Sequence, residues 1–561
     1  MTAKKGVGWS VIIFILAALL VGFVLGTYLS GKPFGRFSGN KIDVILDIID
    51  NDYVDTVNMK NLVEDALPKI VGELDPHSVY IPASDLESVN EELEGHFSGI
   101  GVTFSKQQDT IMIVNIISGG PSEKVGLQAG DRIVTIDDSL FVGPHFTSER
   151  ILKTLRGVKG TSVTVGIKRD ASPKLLEYTI IRGDIPVNTV EAAYKVSDGI
   201  GLIKINKFGR TTYDEFLTGM ANLMKENCSS FIIDLRDNPG GLLDAAIHII
   251  NEFLSRGQLI VYTEGKASPR NNAIANGTGT LQQAPLVILM NEISASASEI
   301  VAGAIQDNDR GTIIGRPSYG KGLVQNQIPL TDGSALRLTI ARYYTPSGRC
   351  IQRKYELGKK AEYEQKYIYL VTTGNDNDST LHTQANTFYT SIGRLVYGGG
   401  GIMPDIYVPR DTIGFTSYLN SLMSQGILYE FAFQYTDANR KKLNGFKDYK
   451  ELLKYLKTQP ILENVVDFAE SKGIRKRPVL IHASKELINK WTYANIIRNI
   501  FGDEGAFPVL LDKDTMIMKA IDIINKGEAF PVASQTQESP SNMHSSARLI
   551  FPAYYFPMLV A

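Results

Sequence analysis

At 561 residues the chain is too long for one hydrophobic core and implies roughly three or four domains. Its 43% hydrophobic and 21% charged residues are those of ordinary globular protein, and a formal net charge of -2 excludes an electrostatic case for nucleic acid. Two cysteines, Cys228 and Cys350, with no C-x-x-C, exclude a redox dithiol and a structural zinc site; whether the two pair is left open, and no metal or cofactor is expected.

Lys4 and Lys5 precede an apolar run from Val7 to Leu29. About 20 helical residues can span a ~30 Å hydrocarbon core, so residues 1–31 are expected to form a single transmembrane helix. The run is long for a signal peptide and Thr27 to Gly31 lacks a small-x-small site, which favours an uncleaved anchor. The basic leader then stays in the cytoplasm, with the rest of the chain on the periplasmic or extracytoplasmic side of the inner membrane, although Lys32 and Arg36 weaken that bias.

Residues 40–94 show helical periodicity, with Ile42, Val44, Ile45, Ile48 and Ile49, then Leu62, Val63, Leu67 and Ile70; Asp75-Pro76-His77-Ser78 interrupts them with a turn. From Gly95 the period becomes two. Strand-like Ile100 to Phe104 and Thr110 to Val114 are followed by a short helix between glycine turns, then a strand opening with Gly130-Asp131. This order, over 95–183, resembles a PDZ domain. Residues 184–410 alternate strand and helix, as α/β folds do. Residues 370–388 are polar and expected as a surface insertion, 411–531 as mostly amphipathic helix, and 532–561 as a disordered tail.

Three segments of the α/β region can carry chemistry. In Ser294-Ala295-Ser296-Ala297-Ser298-Glu299, a serine at a helix N-terminus lies beside free backbone N–H groups; equally, Ser296-x-x-Glu299 fits a plain capping box. Gly315 to Gly322 approaches a P-loop, but Gly322 stands where Ser or Thr should bind magnesium and a strand follows. Its Lys321 suits a desolvated base as well as a surface lysine. Asp237-Asn238-Pro239-Gly240-Gly241 either lets backbone amides approach a carbonyl or is a simple turn. The histidines are poorly placed for a triad. His77, His96 and His145 lie outside the α/β segment, and His248 sits mid-helix.

Together these segments resemble the C-terminal processing (tail-specific) peptidases. The match runs over about 40–410 and includes Asp75-Pro76-x-Ser78, Asp234-Leu235-Arg236-x-Asn238-Pro239-Gly240-Gly241, Ser294 to Ile300, Tyr319-Gly320-Lys321-Gly322-x-x-Gln325, Tyr343 to Arg349 and Gly401-Ile402-x-Pro404-Asp405. One departure is Glu292-Ile293, where the family often has glycines. The resemblance implies a crotonase-like βαβ serine-peptidase core with an inserted PDZ-like domain. It implies Ser296 as nucleophile, Lys321 as base with the family's spacing (321 − 296 = 25), and Gln325 orienting the lysine. It further implies an oxyanion hole from the N–H groups of Gly240 or Gly241 and Ala297. Phe97, Ser98, Gly99, Ile100, Gly101 and Val102 would form the loop that receives a substrate's free, apolar C-terminus. Asp307, three helical turns beyond Ser296, is expected in a structural ion pair. The oligomeric state is left open.

Overall fold

The computed structural model of the chain describes residues 9–29, 40–107, 110–117, 119–143, 146–169, 174–373, 386–532 and 559–560. It falls into two units, Met1–Val71 and Gly72–Ala561. The polar stretch within 370–388 and the 532–561 tail lie largely outside the described residues.

The expected membrane anchor is corrected. Trp9–Leu29 is helical, but no helix among the described residues is long and apolar enough to cross a membrane. Side chains of this helix are described over 13–25. With the anchor goes the basis for a single-pass inner-membrane protein with its remainder outside the cytoplasm. The same unit also holds the helix Lys41–Asp52, capped by Asn40, and most of Met59–Gly72.

The heart of the second unit is a six-stranded sheet in the order Val190–Ser197, Ile200–Ile205, Ser230–Asp234, Leu286–Met290, Thr312–Gly315 and Ile406–Tyr407. All pairs but the first are parallel, with Ile203, Ile233, Ile288 and Ile313 side by side. Its inner strands are buried on both faces, which explains their unbroken apolar sequences. Ile203, Ile205, Ile233 and Ile288 pack against the helices Thr212–Lys225, Leu243–Asn251 and Ala297–Asp307. Their neighbours Leu202, Ile232, Val287 and Leu289 meet Met516, Ile517, Ala520 and Ile523 of Thr515–Asn525 on the other face. Arg236 locks that cover, bonding to Asp234 at 2.6 Å and to Asp514 at 2.7 Å.

A second sheet pairs Ala335–Tyr344 with Val79–Ile81, Leu259–Gly265 and Leu323–Pro329, all antiparallel. The PDZ-like segment is an antiparallel sheet of Val102–Gln107, Thr110–Ile116, Arg132–Ile136, Ser162–Lys168 and Leu176–Ile181, with helices Pro121–Val125 and Ser148–Leu155. Ile100, Val102, Ile113, Ile133, Ile151 and Val165 share its core. Leu559–Val560 adds antiparallel to Val102–Gln107, Leu559 opposite Phe104 and Val560 opposite Thr103. Five helices between Ser417 and Leu510 surround a separate core that includes Leu419, Leu428, Leu452, Val465 and Ile496.

Candidate active site

The site forms where strands of the parallel sheet end. Asn238 is fully buried there and ties several segments together by hydrogen bonds. Its Nδ2 donates to Ile205 O (2.9 Å), its Oδ1 accepts from Gly240 N (2.8 Å), and its carbonyl accepts from Ala295 N (3.0 Å). The glycine loop is thereby drawn onto the serine run. A Cβ on Gly240 would lie 2.7 Å from Ser296 Cβ and 2.9 Å from Ala297 N, an approach only glycine permits, and its φ is +98°.

The three serines differ sharply. Ser294 Oγ donates to Leu235 O (2.8 Å) and accepts from Asn291 N (2.9 Å); Ser298 Oγ donates to Asn238 O (3.0 Å). Both are fully buried. Ser296 is partly exposed and stands in a capping-box arrangement with Glu299 at the start of the helix Ala297–Asp307, its hydroxyl donating to no carbonyl among the described residues. The Glu299 N–H goes to the Ser296 carbonyl at 2.9 Å. Ser296 also holds φ +53° and ψ -113°, a sparsely populated conformation that costs about 1–3 kcal/mol and persists only when surroundings enforce it.

Lys321 precedes the strand Leu323–Pro329. Its Nζ donates to Gln325 Oε1 at 2.9 Å, the meeting expected of residues four apart on an extended chain. Gln325 Nε2 in turn donates to His77 O at 2.5 Å. Burial, reinforced by Arg337, lowers the Lys321 pKa, with Glu299 and Asp75 opposing. The turn that presents His77 O is built by Asp75, whose Oδ1 accepts from the N–H groups of His77 (2.8 Å) and Ser78 (2.7 Å).

Glu299 was read in the sequence only as a cap. It joins the two halves of the site. Its Oε2 accepts from Ser296 N (2.8 Å) and Lys321 N (2.9 Å), its Oε1 from Gly320 N (2.7 Å) and Ser318 Oγ (2.5 Å). All its donors are neutral, and complete burial pushes its pKa up to about 7 despite them. Tyr343 adds a second bridge, its hydroxyl lying against the carbonyls of Lys321 and Ser296. Neither role could be found from spacing alone, because both depend on main-chain atoms of distant segments.

Of the expected oxyanion donors, Gly240 N–H is already taken by Asn238. Ala297 N–H, at the first turn of its helix, and Gly241 N–H carry no such bond among the described residues. The residues Phe97 to Val102 belong to the PDZ-like part of the chain. His96–Gly99 pairs with Gly183–Pro186, Phe97 is buried beneath the Arg156 guanidinium (4.4 Å), and Ser98 Oγ is buried without a hydrogen-bond partner among the described residues. Gly101 holds φ +78°, and Ile100 and Val102 are fully buried. Asp307 pairs with Arg349 at 2.7 Å, both fully buried. Glu292, the departure noted above, pairs with Arg316 at 2.6 Å. Cys228 and Cys350 are free. His248 is exposed and His145 lies outside the described residues.

A parallel sheet whose strand ends gather a strained serine, a desolvated lysine and a glycine loop, attached to a PDZ-type sheet, defines a serine peptidase carrying a PDZ domain. Comparison with known families agrees. Residues 199–364 match peptidase family S41, residues 98–180 match the PDZ domain, and residues 418–502 match a family of unknown function. The chain is 37% identical over 326 residues to a carboxy-terminal-processing protease of Bartonella bacilliformis, covering 57% of this chain and 73% of that one. It is 35% identical over 350 residues to a CtpA-like serine protease of Staphylococcus haemolyticus (61% and 69%). It is 33% identical over 319 residues to the carboxy-terminal processing protease CtpB of Bacillus subtilis (56% and 66%). The chain belongs to the S41 family of carboxy-terminal processing serine proteases.

Proposed function

We propose that the protein cleaves polypeptides near their C-termini with a Ser296–Lys321 dyad that Gln325 orients. The observation that carries this reading is the contrast among the three serines: the Ser294 and Ser298 hydroxyls donate to main-chain carbonyls, whereas the Ser296 hydroxyl donates to none among the described residues and its backbone is held strained. Neutral Lys321 takes the Ser296 Oγ proton as Oγ attacks the peptide carbonyl. The tetrahedral oxyanion is received by Ala297 N–H and an amide of the glycine loop, of which Gly241 is the unengaged one. Collapse breaks the C–N bond, and the departing amine takes the proton from the lysine. Water, giving its proton to Lys321, then hydrolyses the acyl ester.

The PDZ domain supplies the selection step. Its groove lies between Val102–Gln107 and Ser148–Leu155, and an extended segment, Leu559–Val560, already pairs antiparallel there. A substrate with a free apolar C-terminus would add in the same way, its carboxylate on amides of the Phe97 to Val102 loop. Mass spectrometry of a peptide ending in free Ala or Val tests both steps. Ser296→Ala and Lys321→Ala should each abolish cleavage, and amidation of the terminus should slow the wild type about tenfold or more. Residual activity in Ser296→Ala with loss in Ser298→Ala would identify a different nucleophile.

A further inference from the structure

The helix Lys360–Thr373 presents a puzzle of packing. Over 361–370 its residues are exposed except Tyr363, Tyr367, which is half-buried, and Leu370, a stripe at spacings of four and three. Ile368 and Tyr369 face water. So narrow a stripe must find a specific seat, and that seat is the rear of the active site. The Tyr363 ring, only 5% exposed, meets His77 edge-on with centroids 5.6 Å apart and lies 6.3 Å from Tyr319. Tyr367 packs on Tyr319 at 4.3 Å, and His77 lies 6.0 Å from Tyr319.

Two of the rings, Tyr319 and His77, are tied to the lysine by chain or by hydrogen bond, and Tyr363 and Tyr367 pack on those two. Tyr319 is two residues before Lys321. His77 gives its carbonyl to Gln325, whose amide oxygen holds Lys321 Nζ. The turn is fixed from behind by Ser78 Oγ, which accepts from Thr339 N at 3.1 Å, and Thr339 is the strand partner of Gln325. His77 Nε2 is buried with no hydrogen-bond partner among the described residues, so this edge of the imidazole contributes packing. Burial, and after it the charge of Lys321, lowers its pKa to about 4, which keeps the ring neutral beside the amine. The charged groups acting on Lys321 are Arg337 from Ala335–Tyr344, Glu299 from Ala297–Asp307 and Asp75 from the turn; Asp75 and Lys360 also act on His77.

We infer that Tyr363 and His77 are positioning residues of an aromatic wall, formed by the helix Lys360–Thr373 and the turn at 75–78, that keeps water away from the Lys321 amine. The inference rests on the Ser296–Lys321 reading and goes beyond it by naming what makes the lysine a base. Hydration of the amine raises its pKa towards that of free lysine and empties the neutral form at pH 7.

The test is the pH profile of kcat/KM for the full chain with Tyr363→Ala, His77→Ala, and their Phe counterparts. In the Ala variants the midpoint of the acidic limb should move up by about one pH unit, with activity at pH 7 falling about tenfold; Tyr363→Phe and His77→Phe should match wild type. A loss spread evenly over pH, with the midpoint unmoved, overturns the inference, as does equal failure of the Phe variants. Should Tyr363→Ala not fold, Tyr367→Ala, which removes a half-buried ring from Tyr319, should still shift the midpoint in the same direction. Lys321→Ala is measured alongside. Its inactivity, together with unmoved midpoints, removes the wall alone, whereas wild-type activity in Lys321→Ala removes the dyad and the wall with it.

Discussion

The two ends of the helix Ala297–Asp307 handle buried charge in opposite ways. At its C-terminal end the buried carboxylates find counter-charges. Asp307 bonds Arg349 and the Ser347 hydroxyl, each at 2.7 Å, and just beyond it Asp309 bonds Arg394, which also holds Asp405. At its N-terminal end Glu299 is buried as completely, yet receives only neutral donors, and Lys321 is held by a neutral amide. Paired ions hold geometry and do little else. Ions deprived of partners move their protonation equilibria into the range where they can exchange protons. One helix therefore carries a strut at one end and the chemistry at the other.

The sharpest break of this comparison sets Lys321 against Arg349. Lys321→Ala should cut turnover by a factor of about 10³ or more while leaving the melting temperature near wild type, and Lys321→Arg should do no better, since guanidinium cannot act as a base at neutral pH. Arg349→Ala strands a buried Asp307 carboxylate and should cost about 3–5 kcal/mol of stability. Thermal melts and rates on the same samples decide the matter. If Lys321→Ala melts as early as Arg349→Ala, both ends of the helix are struts.

Glu299→Gln is a finer probe, because it preserves shape. Both carboxylate oxygens accept from backbone N–H groups, so the amide must turn its NH2 towards donors whichever way it flips. We expect a loss of about 10- to 100-fold in kcat, or roughly 1–3 kcal/mol, with KM nearly unchanged. A fall in kcat/KM that resides wholly in KM would place Glu299 in substrate binding instead.

Much of this arrangement was legible in the residues. Alternating strand and helix announced the parallel sheet, and the four-residue step from Lys321 to Gln325 on a strand announced their contact. The choice among Ser294, Ser296 and Ser298 was not legible from local pattern, because it is decided by carbonyls of Leu235 and Asn238 some 60 residues away. Ser296-x-x-Glu299 looked like a cap, and Glu299 does return to Ser296 N–H, but it also collects the Lys321 loop, which no local motif encodes. Which glycine amide is engaged was not legible either, because Asn238 folds back on Gly240 N–H. The apolar stretch at the N-terminus pointed to an anchor, but no helix among the described residues is long and apolar enough to cross a membrane.

The smallest expected effect is the most revealing about unpaired charge, since it concerns stability rather than rate. Glu299 has its pKa raised from 4.5 to about 7 by folding. Below pH 4.5 it is protonated in both states; as pH rises towards 7 the unfolded chain releases that proton first, so stability is lost across this window, by up to ~3 kcal/mol. His77 acts with the opposite sign. Its pKa falls from 6.5 to about 4, so the unfolded chain binds the proton first as pH drops, and stability is lost on acidification from 6.5 towards 4. In the wild type the slopes of these two groups oppose one another between pH 4.5 and 6.5. Each variant should uncover the other: Glu299→Gln should make stability rise with pH there, and His77→Phe should make it fall. Urea unfolding at pH 4.5, 5.5, 6.5 and 7.5 reads both. A Glu299→Gln profile that parallels wild type would mean that the carboxylate ionises in the folded protein as easily as in water, and the distinction between the helix's two ends would then be one of position only.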